Sequence, residues 1–230
     1  MRRFWDEAAR LNAPWYVDTS LSYDEPDLER FFATGRKIVD EAIGESPIDV
    51  KTGSALEIGS GLGRVCLALA ERFQAVTGID ISPEMVSRAE SLAPSPRITY
   101  VVGDGESLSA VGDATMDLVL TFTVFQHIPR RAVIERYITE AGRVLRPGGV
   151  FVFQWNNTPG SFRWRMWRRV AALAQRSGLY RERFRRNAAE FLGERVPMRH
   201  IVRALDRGDL TLRKTKGEGT LYAWAWAEKA

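Results

Sequence analysis

The chain has 230 residues, of which 45% are hydrophobic and 27% are charged, as in folded globular proteins and unlike disordered ones. A formal net charge of +4 does not by itself indicate a nucleic-acid partner. One cysteine excludes a framework of internal disulfides. No apolar run approaches the roughly 20 residues of a membrane-spanning helix, and the first residues lack the apolar segment of a signal peptide. We therefore expect a cytoplasmic protein with a single domain over residues 1–230.

Residues 1–45 are predicted to form a helical arm that caps the functional site. A short helix that begins near Phe4 should end before Pro14, because proline interrupts helices. A second helix is predicted over residues 27–43, where apolar side chains recur at helical spacing. Trp15 and Tyr16 follow Pro14, and we expect them to contact a bound substrate.

Residues 50–155 alternate between predicted strands and helices and are expected to bind a cofactor. The strands are predicted at residues 55–58, 75–80, 98–102, 116–122 and 150–155, and the helices at about 64–73, 83–92 and 130–145. This alternation is typical of βαβ units, which form a parallel sheet with right-handed crossovers.

The C-terminal third departs from that alternation. Residues 161–186 and 197–206 are predicted to be helical, which makes 156–206 a basic helical region expected to cover the acceptor. Residues 210–214 and 220–227 resemble two strands joined by a glycine-containing turn. They predict an antiparallel hairpin within residues 207–230.

The first predicted strand runs into the sequence EIGSGLGR, residues 57–64. Glycines at alternate positions before a helix expose backbone N–H groups that a ligand can approach closely. A dinucleotide-binding fingerprint needs glycine at its sixth position, where this chain has Arg64, although Asp80 ends the second strand as that fingerprint expects. The carboxylate of Glu57 disfavours a bare pyrophosphate and suits a ligand with hydroxyls and positive charge.

Further segments specify the kind of ligand. They are LEIGSGLGR (56–64), GIDISPEM (78–85), GDGESL (103–108), DLV (117–119) continuing to FQHIP (125–129), and RVLRPGG (143–149). In this order and spacing they resemble the class I S-adenosylmethionine-dependent methyltransferases, especially the small-molecule branch, over roughly residues 50–155. The resemblance implies an α/β, Rossmann-like fold with helices on both faces of a seven-stranded, mostly parallel sheet of order 3-2-1-4-5-7-6, whose seventh strand is antiparallel.

The resemblance also implies S-adenosylmethionine as cofactor, S-adenosylhomocysteine as product, and no metal. By position, Glu57 would hold the ammonium region, Asp80 the ribose hydroxyls, Ile81 the adenine face and Asp104 the adenine amino group. Each carboxylate taken singly also fits a solvated loop charge or a helix cap. The predicted cofactor contacts are Glu57, Gly59, Ser60, Gly61, Gly63, Asp80, Ile81, Asp104, Gly105, Glu106 and Thr121.

His127 is the candidate general base. It follows the fourth strand at the rim of the predicted cofactor site, and the ordinary histidine pKa lies near neutrality. The alternative is a structural histidine that stabilises the turn. His200 is expected at the surface. The predicted acceptor pocket consists of Trp15, Tyr16, Phe125, Gln126 and Trp155.

The acceptor class is predicted from the segment after the fourth strand and from the arginine-rich residues 161–186. Methyltransferases of nucleic-acid amines carry an Asn/Asp-Pro-Pro-aromatic tetrad where this chain has TFTV, residues 121–124. We therefore predict methylation of an O or N atom of a small molecule, with an anionic acceptor as one interpretation of the arginines. An RNA or protein methyltransferase that uses the basic helix, a membrane-surface helix and a non-catalytic cofactor-binding partner subunit are alternatives. The acceptor and the oligomeric state are left open.

Overall fold

The computed structural model describes residues 1–159 and 193–230 of the chain. The helices are α1 (Arg2–Val17), α2 (Leu28–Gly44), α3 (Arg64–Ala70), α4 (Pro83–Leu92), a 3-10 helix (Phe125–His127), α5 (Arg131–Val144) and α6 (Met198–Arg207). The strands are β1 (Ser54–Ile58), β2 (Ala75–Asp80), β3 (Ile98–Val102), β4 (Met116–Thr121), β5 (Leu145–Trp155), β6 (Leu210–Lys216) and β7 (Ala223–Lys229). The helix predicted at residues 161–186 lies outside the described residues.

The strands form one seven-stranded sheet of order β3-β2-β1-β4-β5-β7-β6. The first five strands pair in parallel, and β7 pairs antiparallel with both β5 and β6. This topology confirms the predicted fold. Because β1 lies between β2 and β4, the chain order reverses there, and ligands of such sheets bind beyond the carboxyl ends of the strands at that point.

The centre of the sheet is buried on both faces, as parallel strands covered by helices must be. Side chains alternate along β4 and β5: Val119 and Phe151 pack on the side of α5 and α6, whereas Leu120 and Val152 pack on the side of α2 and α3. All six residues of β4 are buried. The sheet therefore fixes the strand ends rigidly, which is what a site built on those ends requires.

Helix α1 is longer than the sequence predicts. The chain leaves helical geometry at Asn12 (φ −165°, ψ 78°) and then resumes a helix up to Val17. The side-chain oxygen of Asn12 accepts the backbone N–H of Trp15 at 3.2 Å, so Asn12 caps the new turn. Pro14 lies in that first turn, where a backbone N–H has no helical partner to lose. The predicted break before Pro14 is therefore confirmed at Asn12, and what the sequence did not predict is the helical turn that follows it up to Val17.

The C-terminal part agrees with its predicted hairpin, with shifted bounds. The last strand begins at Ala223 rather than at residue 220, because Thr220 belongs to the turn and donates its hydroxyl to the carbonyl of Gly217 at 2.6 Å. Strand β5 begins at Leu145, earlier than the predicted residue 150. In α6, the side chain of His200 is 17% exposed and therefore largely covered. Its Nδ1 lies 3.1 Å from a carboxylate oxygen of Glu135.

Within the described part of the chain, no helix is both long and apolar enough to cross a membrane.

Candidate active site

A cavity opens beyond the carboxyl ends of β1, β2, β3 and β4. Its empty space is about 940 Å³, counting the part that is open to solvent. The loop after each of these strands contributes to the wall, and α1 forms the cover. Its described lining includes Glu57, Gly59, Ser60 and Gly61 after β1, Asp80 and Ile81 after β2, Gly103 and Gly105 after β3, Thr123, Val124 and His127 after β4, and Met1, Trp5, Tyr16 and Val17 from α1.

The glycine turn brings bare backbone to the cavity wall. Gly59 has φ +77°, and its N–H donates to the carbonyl of Ile79 at 2.7 Å. A Cβ atom on Gly59 would overlap one methyl group of Val124 and lie 3.1 Å from the other. Both the positive φ and the close approach therefore require glycine here. Gly63, the third glycine of the turn, instead packs against Tyr100 and does not line the cavity.

Glu57 is a buried carboxyl group at the floor of this cavity, with an exposed fraction of 4%. Burial raises its pKa to about 8, although a hydrogen bond with the Cys66 thiol and the positive charge of Arg64 oppose that shift. Its Oε2 and the hydroxyl of Ser60 have no hydrogen-bond partner in the structure. Buried polar atoms are normally satisfied, so two orphaned oxygens on one cavity wall indicate a polar ligand that donates hydrogen bonds.

The raised pKa of Glu57 makes stability depend on pH. In the ligand-free folded chain the carboxyl stays protonated up to about pH 8, whereas its ordinary pKa is 4.5. The folded state therefore binds more protons between these values, and the free energy of unfolding falls as pH rises through that window. Between about pH 5 and about pH 8, the free energy of unfolding of the unmodified chain should fall by on the order of 3 kcal/mol more than that of Glu57→Gln.

Urea unfolding of the ligand-free protein at both pH values measures the effect. Glu90→Gln changes an exposed carboxylate on α4 and should leave the pH dependence of the unmodified chain intact. Equal pH dependence in Glu57→Gln and Glu90→Gln would contradict the buried neutral carboxyl.

Asp80 joins the loops after β1 and β2. One carboxylate oxygen accepts the N–H of Gly61 at 2.9 Å, and the other accepts the N–H of Ser82 at 2.9 Å. Burial raises the pKa of Asp80, while these backbone hydrogen bonds oppose the shift. Each oxygen keeps a further lone pair, so the carboxylate can also accept from a ligand in the cavity that it lines.

Helix α1 closes over the cavity through contacts that the sequence did not predict. Arg2 donates to the carbonyls of Ile81 at 3.0 Å and Gly103 at 2.9 Å, which belong to the loops after β2 and β3. Trp5 meets His127 edge to face, with ring centroids 5.5 Å apart. No local spacing could reveal these partners, because the hydrogen bonds of Arg2 span 79 and 101 residues of chain.

Four predicted cofactor residues, Gly63, Asp104, Glu106 and Thr121, do not line the cavity. The carboxylate of Asp104 accepts the hydroxyl of Ser107 at 2.6 Å and the N–H of Glu106 at 2.7 Å, so it is used to cap its own loop. Glu106 forms ion pairs with Arg130 and Arg136 outside the cavity. Their assignment as cofactor contacts stays a prediction of the family resemblance.

Two predicted acceptor-pocket residues are core residues instead. Phe125 is fully buried and packs against Tyr137 and Phe153, with ring centroids 6.2 Å and 5.9 Å apart. Trp155 is also fully buried, and its indole N–H donates to the carbonyl of Val196 at 3.1 Å. The alternation of β5 turns Trp155 towards the α5 and α6 side of the sheet, and the acceptor roles of both residues stay predictions of the sequence. Trp15 likewise does not line this cavity.

A second cavity adjoins the first. The residues common to both linings are Tyr16, Val17, Arg64, Phe122, Thr123 and His127. Thr123 has φ +55°, a strained conformation for a β-branched residue and one that is found preferentially at functional sites. His127, the predicted base, therefore lies where the two cavities meet, and Gln126 lines the second one.

Arg64 forms part of this junction, a role that the sequence did not predict. Its side chain is 7% exposed and donates to the carboxylate of Asp18 and to the hydroxyl of Thr34, both at 2.8 Å. It also lies over the ring of Phe31, 5.1 Å from the centroid. Arg64, which occupies the position where a dinucleotide fingerprint needs glycine, thus holds α1 and α2 at the cavity wall.

Residues 56–153 match a family described as "Methyltransferase domain". The chain is 31% identical over 118 residues to a ubiquinone biosynthesis O-methyltransferase of Xanthomonas oryzae pv. oryzae, covering 50% of this chain and 48% of that protein. It is 32% identical over 129 residues to norajmaline N-methyltransferase of Rauvolfia serpentina, covering 52% and 43%. The matched region is thus about half the length of these curated relatives.

A solved structure extends the likeness in fold to the full chain. The magnesium protoporphyrin IX methyltransferase of Synechocystis, with bound SAH, superposes with a TM-score of 0.64 at 16% identity. The match covers 100% of this chain and 97% of that one. At this identity the likeness concerns the fold.

Proposed function

We propose that the chain is a class I S-adenosylmethionine-dependent methyltransferase that methylates an oxygen or nitrogen atom of a small molecule, and the match of residues 56–153 to a methyltransferase domain supports this proposal. The observation that carries this proposal is the junction of two cavities at His127, one of them walled by the glycine turn, Glu57 and Asp80. The names of the relatives add support, since they describe methylation in ubiquinone biosynthesis and of norajmaline.

The residues of the first cavity fit this cofactor chemically. The orphaned oxygens of Glu57 and Ser60 suit an ammonium group, and a positive ligand charge would favour the ionised form of Glu57. Asp80 retains acceptor capacity for vicinal hydroxyls. Ile81 lies against Gly105, where a Cβ atom would be 2.9 Å from its Cγ1, so this end of the cavity suits a flat ring.

Methyl transfer needs alignment and exclusion of water more than covalent help from the protein. When bound, S-adenosylmethionine would supply an electrophilic methyl group for the acceptor O or N, and Glu57, Ser60 and Asp80 would hold it. His127 would accept the proton that the acceptor loses. Trp5 and Tyr16 from α1 shield that junction from water.

The base role of His127 predicts a separation of binding from turnover. His127→Ala should lower turnover by about a hundredfold or more and leave the affinity for S-adenosylhomocysteine unchanged. His200→Ala removes the other histidine of the chain, which lies on α6 beside Glu135 and lines neither cavity, and should leave both quantities unchanged. Turnover in His127→Ala equal to that in His200→Ala would end the base role and leave a structural histidine.

Two measurements test the function itself. Calorimetry should detect binding of S-adenosylmethionine and S-adenosylhomocysteine, and failure of both to bind would refute the proposal. Next, cofactor with a labelled methyl group is incubated with the protein and separate small-molecule, RNA and protein fractions. Label should enter the small-molecule fraction. Label only in RNA or in protein would instead support the alternatives that use residues 161–186.

A further inference from the structure

The second cavity carries an inference about the acceptor, which rests on the proposed function. We propose that this cavity binds the methyl acceptor and that Gln126 determines specificity by pairing its amide with a neutral group that offers both a hydrogen-bond donor and an acceptor. A carboxamide, or a lactam of a heteroaromatic ring, is such a group.

The first step is the position of the cavity. Its cavity volume is about 440 Å³, which is within the range of pockets that bind small organic molecules. It shares His127 and Thr123 with the first cavity, so a molecule bound in it would meet the cofactor at the candidate base. Because the two reacting atoms must be aligned at one point, adjoining chambers with a common wall suit a two-substrate transfer.

The second step is the state of the Gln126 side chain. Its exposed fraction is 3%, and neither its Nε2 nor its Oε1 has a hydrogen-bond partner in the structure. A buried amide with both atoms unsatisfied costs stability, and such groups in native proteins call for an explanation. Both amide atoms are covered in the ligand-free structure, and Gln126 contributes to the wall of the second cavity, so its side chain would turn towards a ligand there to satisfy both atoms.

The third step is the charge of the wall. Arg64 is already paired with Asp18 at 2.8 Å, and Glu41 is paired with Lys216 at 2.9 Å. Lys37 also contributes to the wall, but it is solvent-exposed. Among the described residues of this wall, the buried side-chain atoms without a partner are the two of the Gln126 amide, which favours a neutral acceptor group over a carboxylate.

The fourth step is the apolar part of the wall. Tyr16, Phe122 and Tyr222 contribute aromatic side chains, and Val17 and Ile38 contribute aliphatic ones. Aromatic walls suit flat ligands, because rings pack well face to face or edge to face. The structure therefore points to a small aromatic or heteroaromatic acceptor whose donor–acceptor group reaches Gln126.

The test uses phenols that differ in one substituent, bound to the protein loaded with S-adenosylhomocysteine. The probes are para-hydroxybenzamide, para-hydroxybenzoate and para-cresol, and calorimetry measures their affinities. We expect para-hydroxybenzamide to bind about tenfold or more tightly than either of the others, because sites built around paired hydrogen bonds reject analogues that lack them. Gln126→Met should abolish this preference.

Gln154→Met is the matched control. Gln154 is also buried with an unpartnered Oε1, but it lines neither cavity, so its substitution should leave the preference intact. Gln126→Met should not lose stability in urea unfolding, since it exchanges an amide with both atoms unsatisfied for an apolar side chain of similar volume.

Equal affinities, no binding of any probe, tightest binding of para-hydroxybenzoate, or a preference that survives Gln126→Met would each overturn the inference. If the unmodified chain nevertheless binds S-adenosylhomocysteine, the proposed function stands without this inference. If the unmodified chain does not bind S-adenosylhomocysteine, the proposed function is contradicted as well.

Discussion

Replacement of Asp80 by alanine is expected to weaken the binding of S-adenosylhomocysteine by about a hundredfold, or about 3 kcal/mol. Asp80 is the carboxylate at the end of β2 that lines the first cavity, and it retains acceptor capacity beyond its bonds to Gly61 and Ser82. Hydrogen bonds from ligand hydroxyls to a carboxylate are stronger than those between neutral groups. Asp80→Asn keeps one oxygen acceptor and should lose only about tenfold.

Calorimetric titration measures these affinities, and urea unfolding without ligand must accompany it, because Asp80 also holds the two loops together. Asp113→Ala is the control, since Asp113 is an exposed acid paired with Arg143 outside the cavity. Affinity of Asp80→Ala equal to that of Asp113→Ala would place the cofactor's hydroxyls elsewhere. Loss of affinity in Asp80→Ala with unchanged stability would identify a direct contact.

Replacement of Gly35 by alanine should be the most damaging single-methyl change on α2. A Cβ atom at Gly35 would overlap the carbonyl oxygen of Arg64 and lie 2.6 Å from the carbonyl carbon. These are backbone atoms of α3, so the two helices would have to move apart. We expect a loss of about 3 kcal/mol in the free energy of unfolding, which outweighs the gain of about 1 kcal/mol in helix propensity.

The same helix supplies the control. No heavy atom lies within 4 Å of a Cβ built on Gly44, at the end of α2, so Gly44→Ala should be neutral or slightly stabilising. Urea unfolding of both variants measures the difference. Equal stability would show that α2 and α3 do not pack as closely as the structure indicates. Because Arg64 directly follows the glycine turn, we also expect Gly35→Ala to weaken S-adenosylhomocysteine binding.

The cofactor side of this site was predictable from short stretches of sequence. The glycine turn before α3 and the acid at the end of β2 depend on local spacing, because residues adjacent in sequence decide both the strand end and the helix start. The structure places Glu57 and Asp80 on one cavity wall, and their roles towards a cofactor stay predictions of the family resemblance. The sheet order also followed from the resemblance, since the matching segments occur in the family's order and spacing.

The lining of the second cavity was decided by tertiary packing. Phe125, Gln126 and His127 are neighbours in one 3-10 helix, yet Phe125 enters the core, Gln126 lines only the second cavity and His127 lies at the junction. No periodicity specifies side-chain direction in so short a turn. Arg64 meets Asp18 across 46 residues of chain, and such a pair is set by how the end of α1 meets the start of α3 in the tertiary structure. The sequence by itself thus determined the strand ends and their acids, whereas only the tertiary structure determined which side chains line the second cavity.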